Sequence, residues 1–220
     1  MNWSSLSRMM VFVLGVSSIT AFGATKPVLN DWFALGSGCR ARSDLSGNVR
    51  MEGVPGATGA PDTFRAKFIF KDFALKENLV NSSVKKYGRE CAIRLNINPP
   101  EGKKIVAIRA KTKIVTEKES GPALDILSEL KLGAVSLGKV HQKLGNSLRV
   151  SMREETVDLE AGSGSKESLP QLGCGEPKII GFDYSWIATQ SGAPNKSVLV
   201  ELGKEKSLVI EAQLEDCRPN

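Results

Sequence analysis

The chain has 220 residues, of which 41% are hydrophobic and 25% charged, with a formal net charge of +6 and a pI near 9.2. That balance excludes a disordered polyelectrolyte, because the apolar content is enough to bury a core. The 21 glycines follow no three-residue period, and no apolar run reaches the roughly 20 residues of a bilayer-spanning helix, so collagen-like and helical membrane classes are excluded as well.

The N-terminal residues 1–23 read as a secretory signal peptide. Arg8 precedes the apolar stretch Met9–Val16, and Ala21-Phe22-Gly23 supplies a small-x-small pattern for cleavage near Gly23. The expected location is secreted or periplasmic, with residues 24–220 forming one domain. Cys39 is not a lipid attachment site, because Gly36 stands where a bulky aliphatic residue is needed and a charged segment separates Cys39 from the apolar stretch. Cys39, Cys91, Cys174 and Cys217 make an even set in an exported chain, which reads as two disulfides. No two lie at a C-x-x-C spacing and His141 is the sole histidine, so no metal site is expected. Parity alone leaves three connectivities open.

Period-two alternation dominates after Lys26 and predicts half-buried strands. Phe64–Lys71 alternates with its aromatic residues toward a core. Cys91–Ile97 and Lys103–Val115 flank Pro99-Pro100-Glu101-Gly102, predicting a hairpin that pairs Ile93 with Ile108 and Leu95 with Val106. Ala123, Ile126, Leu127 and Leu130 fall at i, i+3, i+4 and i+7, behind Pro122 and before Gly133, predicting a short helix. Leu130 and Leu132 could equally open a strand. Further strands are expected near 147–152, 178–189, 197–202 and 207–214, with a hairpin-length connection at 203–206. The Gly/Ser-rich run from Ala161 marks a flexible loop near 161–173. The expected fold is all-β: a single antiparallel β-sandwich of about eight strands, with room for one short helix and two disulfides. If the strands after Cys174 and before Cys217 lie side by side, and one antiparallel strand separates those following Cys39 and Cys91, the pairing is Cys39–Cys91 and Cys174–Cys217.

The cysteine surroundings carry a resemblance. Gly36-Ser37-Gly38-Cys39 comes first, then Lys86-Tyr87-Gly88-Arg89-Glu90-Cys91 running into a strand and a Pro-Glu-Gly turn, then Leu172-Gly173-Cys174-Gly175, then Cys217. Residues 36–217 resemble an uncharacterised family of small secreted four-cysteine β-rich proteins from fungi and bacteria, a domain of unknown function. The resemblance implies an exported, disulfide-stapled, β-rich domain and carries no activity.

Catalytic motifs are missing from the sequence. His141 sits in a polar, turn-like stretch, and no G-x-S-x-G elbow accompanies it. The S-x-x-K matches in Ser82–Lys86 and Ser163–Lys166 lack the companion motifs of serine–lysine acyl enzymes. Glu154-Glu155 and Glu215-Asp216 are adjacent pairs whose members point to opposite faces of an extended backbone. No catalytic residue, cofactor or metal is therefore expected. Arg94, Arg109, Lys111 and Lys113 share the outer face of the predicted hairpin, and Arg65, Lys67 and Lys71 that of another strand. This basic face predicts binding of an anionic envelope or extracellular component (acidic glycan, lipopolysaccharide or anionic lipid) and no specific nucleic acid. The competing reading is a solvated face whose lysines discourage edge pairing. Ile180, Phe182, Tyr184 and Trp186 share one face of a strand, expected in the core, with a sugar-stacking platform as the other reading. The expected function is that of a non-enzymatic binding domain. A hydrolase of extracellular polymers and a purely structural envelope protein are the alternatives, and the oligomeric state stays open.

Overall fold

Side chains alternate between buried and more exposed along Asp62–Ile69, Lys86–Asn98, Ala123–Leu132 and Lys196–Leu202 of a computed structural model that describes residues 28–37, 39, 49–54, 61–70, 74–79, 86–189, 196–203 and 205–217. The predicted signal peptide and Lys71 lie outside the described residues. Twelve strands are described: β1 (Val28–Leu35), β2 (Val49–Val54), β3 (Asp62–Ile69), β4 (Ala74–Leu79), β5 (Lys86–Asn98), β6 (Lys103–Lys118), β7 (Ala123–Leu132), β8 (Val135–Leu144), β9 (Val150–Gly162), β10 (Lys178–Thr189), β11 (Lys196–Leu202) and β12 (Ser207–Asp216). They form two antiparallel sheets, one in the order β1-β5-β10-β7-β8 and the other β2-β3-β12-β6-β11-β4 with β9 also paired to β6. The expected all-β sandwich is present, with more strands than the eight anticipated and no helix among the described residues.

The two sheets bury one continuous apolar core between them. Phe182, Tyr184 and Trp186 of β10 are fully buried in it, at 0%, 1% and 0% exposure, so the aromatic stripe is core and not a platform. Their rings meet edge to face, with centroids 4.5 Å apart for Phe182–Tyr184 and 6.2 Å for Tyr184–Trp186. Burial pushes the Tyr184 phenol up, and Thr112 of β6, itself buried, donates its hydroxyl to the Ser207 carbonyl at 2.8 Å. Lys118 is also buried: its ammonium donates to the carbonyls of Glu119 (3.0 Å) and Leu148, anchoring the β8–β9 connection to the end of β6.

Two local expectations fail for physical reasons. The Pro99–Gly102 turn does not close a hairpin: β5 and β6 belong to different sheets, and the chain crosses the sandwich there. Pro99 and Pro100 donate no backbone hydrogen bonds, so the segment cannot extend a ladder. Alternation alone cannot separate the two geometries, since strands facing each other across a core also turn their apolar residues inward together. Residues 123–132 form strand β7, not a helix. Leu124, Ile126, Leu130 and Leu132 are its buried set, a period of two that shares Ile126 and Leu130 with the helical spacing. Pairing with β10 on one side and β8 on the other satisfies its backbone, which outweighs local propensity.

The disulfides are Cys39–Cys91 and Cys174–Cys217, as strand order suggested, but the supporting geometry differs. Cys39 follows β1, and Cys91 lies inside β5, the antiparallel neighbour of β1. Gly36 turns the chain between the end of β1 and Cys39 at φ +134, where an added Cβ would lie 2.2 Å from the Glu90 carbonyl oxygen, so only glycine fits. Strands β10 and β12 lie in opposite sheets. Cys174 and Cys217 meet at the β5–β6 crossing, where the Gly175 N–H donates to the Lys103 carbonyl (2.8 Å) and the Cys217 N–H to that of Gly102 (2.7 Å). Cys39 and Cys91 are 2% and 1% exposed, whereas Cys174 lies on the surface. Mild dithiothreitol on the native protein is therefore expected to open Cys174–Cys217 alone. Alkylation and peptide mapping check this; labelling of Cys39 and Cys91 first would contradict it.

Candidate anion-binding groove

The outward positions of β2, β3, β12, β6 and β9 meet in register as two rows across the larger sheet. In one row Glu52, Arg65, Glu211, Arg109 and Glu160 stand opposite one another in sequence, alternating in charge. In the next, Lys67, Val209, Lys111 and Asp158 do the same. Lys67 and Lys111 thus flank Val209 with backbones about 10 Å apart, two strand spacings. Glu52, Arg65, Lys67, Arg109, Lys111, Val209 and Glu211 line an open groove of about 840 Å³. It adjoins a smaller hollow of about 150 Å³ that shares Lys111 and Val209 and adds Lys113 and Lys206.

The acids in these rows decide which cations are available. Arg65 Nε donates to Glu211 at 2.6 Å and Nη1 to Glu52 at 2.8 Å. Arg109 holds both Asp158 oxygens, with Nε at 2.6 Å from Oδ1, and this keeps the Asp158 carboxyl below its ordinary range. Lys67 pairs with Glu205 at 3.0 Å and Lys113 with Glu154 at 2.9 Å, both on the surface. Asp158 stands directly opposite Lys111 but is taken by Arg109. Lys111 is exposed and forms no ion pair among the described residues.

Of the seven candidate ligand-binding residues, Arg65, Lys67, Arg109 and Lys111 come together in the groove and Lys113 borders it. Lys71 lies outside the described residues. Arg94 does not join them. It sits on β5, on the outer face of the other sheet, because the expected hairpin is instead a crossing. There its guanidinium lies over Gly181 and binds Asp183, which Lys131 also holds at 2.7 Å, with Glu129 3.1 Å from Lys131. Sequence reasoning missed Glu52, Asp158, Glu205 and Glu211. The outward position of Glu211 was readable from buried Ile210 and Ala212, but not that β12 would run between β3 and β6.

The other chemical candidates stay apart. His141 is exposed, with Nε2 2.6 Å from Asp125 Oδ1. The nearest outward serine in its row, Ser185, lies two strands away across Leu127, about 10 Å by strand spacing and beyond any hydroxyl–imidazole bond. Ser82, Ser83 and Lys85 lie outside the described residues, and Ser163 and Lys166 stand on the exposed loop after β9. Glu154 pairs with Lys113, Glu155 with Arg153 and Asp216 with Lys103. Among the described residues, no group of three or more His, Cys, Asp or Glu side chains could hold a metal ion.

No family model and no curated protein matches the chain. Solved structures with some likeness include TmCBM61 in complex with β-1,4-galactotriose, at 9% identity and a TM-score of 0.27 over 86% of this chain and 90% of that one. A CBM4 structure gives 10% identity and a TM-score of 0.26 over 86% and 96%. The family 11 carbohydrate-binding module of Clostridium thermocellum, in complex with a β-1,3-1,4-mixed-linked tetrasaccharide, gives 13% and 0.18 over 85% and 89%. Likeness at these TM-scores is too slight to bear on what this chain binds.

Proposed function

We propose that the chain is an exported, non-enzymatic binding domain that holds an acidic glycan of the envelope or extracellular space in the groove on its larger sheet. The observation that carries this is Lys111, exposed between Arg109 and Lys113 on β6 and across Val209 from Lys67, with its opposite acid engaged elsewhere. An ammonium so placed takes a carboxylate or sulfate from solution without first breaking an ion pair. Glu52 and Glu211 in the same groove are acceptors for sugar hydroxyls, and they repel a denser polyanion such as nucleic acid. Val209 is the sole apolar residue among the described residues lining the groove, and it offers little to an acyl chain or to ring stacking. Two disulfides support an oxidising compartment.

Retention of the protein on immobilised polygalacturonate, measured against sodium chloride, tests the reading. Lys67→Glu with Lys111→Glu is expected to weaken binding about tenfold and flatten its salt dependence. Arg94→Gln, on the opposite sheet, is expected to leave binding unchanged. Undiminished retention by the double variant would overturn the groove assignment.

A further inference from the structure

The two sheets do not close evenly. Strand β8 ends the five-stranded sheet and β9 lies at the margin of the other, and between them the sandwich gapes. Val140 and Gln142 of β8 stand opposite Ser128 and Ile126 of β7, whose side chains point into the core. Val140 therefore faces inward by register, yet it is 40% exposed. The gap is a cleft of about 390 Å³, walled by Ile114, Ile126, Val140 and Val157, with Gln142, Glu155 and Thr156 toward its mouth. Glu155 is tied to Arg153 at 2.6 Å, so its charge is already answered. Ser128 also lines the cleft, 1% exposed, and its Oγ has no hydrogen-bond partner among the described residues.

A buried hydroxyl without a partner keeps its full desolvation cost, and apolar walls cannot supply one. The cleft is more than ten times the ≈ 30 Å³ share of a single water molecule, and its size falls in the range of small-ligand sites. We propose that this inter-sheet cleft, separate from the groove, binds a small uncharged amphiphile. Its apolar body lies against Ile114, Ile126, Val140 and Val157, and its hydroxyl, carbonyl or amide meets Ser128. A charged ligand is disfavoured, because among the described residues lining the cleft Glu155 alone is charged and Arg153 already answers it.

Titration of the full-length protein with 1-hexanol, followed through the methyl resonances of Ile114, Ile126, Val140 and Val157, tests the site. Saturable shifts confined to these methyls are expected. Ser128→Ala is expected to weaken 1-hexanol binding about 2- to 10-fold, the worth of one hydrogen bond, while the melting temperature of the ligand-free protein stays level or rises. Val140→Trp, at a half-exposed position that tolerates bulk, is expected to plug the mouth and abolish the shifts in a folded protein. The proposal fails if the wild type gives no saturable shift, if Ser128→Ala binds 1-hexanol undiminished, or if that variant melts lower, which would mean the hydroxyl already has a structural partner.

Discussion

Replacing Cys39 and Cys91 together by alanine is expected to cost about 4 kcal/mol, on the chain-entropy estimate for a bridge spanning 52 residues. For a chain of this size the melting temperature should fall by on the order of 10 °C. The same estimate gives nearly the same figure for Cys174–Cys217, which spans 43 residues, so the global number does not distinguish the two bridges. The local consequence does. Among the described strands β1 pairs with β5 alone, and the buried bridge clamps its far end. Without it, amide exchange should accelerate in β1 and along the facing edge of β5 before it does in β7 or β10. Urea unfolding with hydrogen exchange on the double variant measures both effects. A loss below about 1 kcal/mol, with β1 still protected, would show that β1 holds without its staple.

Asp183→Asn should cost about 2 kcal/mol at neutral pH, because it removes the anion shared by Arg94 and Lys131. These side chains are unusually covered for the outer face of a sheet: 20% exposed for Arg94, 22% for Asp183 and 23% for Lys131. Desolvation raises the Asp183 pKa, but hydrogen bonds from Arg94 and Lys131 outweigh it and hold the carboxyl below its ordinary value. A carboxyl lowered on folding stabilises the native state at pH values above its unfolded pKa, near 3.9, and loses that contribution as pH falls through the lower folded value. The difference between wild type and Asp183→Asn should therefore be full at pH 7 and shrink on acidification below about pH 4. Urea midpoints across that range measure it. A gap that does not change with pH would mean that shape, not charge, sets the cost.

The sequence was most informative where one local rule governs. Alternation in Phe64–Ile69, Cys91–Ile97 and Ser207–Leu214 identifies strands and their buried faces, and the stripe ending in Trp186 lies where apolar aromatics belong. It was silent on which sheet each strand enters, because period two is the same for a hairpin and for a chain that crosses the core. That ambiguity turned the Pro99–Gly102 crossing into an expected hairpin and put Arg94 on one face with Arg109. The charge balance of the groove was hidden for the same reason. Glu211 lies over a hundred residues from Arg109 in sequence, and only the placement of β12 beside β6 makes them neighbours. The basic residues alone suggest a positive face; the rows across the sheet reveal paired arginines around Lys111, which has no ion pair among the described residues.

The last strands in the chain occupy interior places in both sheets. Strand β10 is inserted between β5 and β7, β12 between β3 and β6, and β11 between β6 and β4. During synthesis six of the ten ladders therefore wait for β10, β11 or β12, and only β1–β5, β2–β3, β6–β9 and β7–β8 can form before them among the described strands. Folding that depends on such distant pairings is slow, and it leaves unpaired edges open to other chains in the meantime. Cys39 and Cys91 can meet early, whereas the partner of Cys174 comes after every described strand. A chain halted just before Lys178 has nine of the twelve described strands and neither sheet complete.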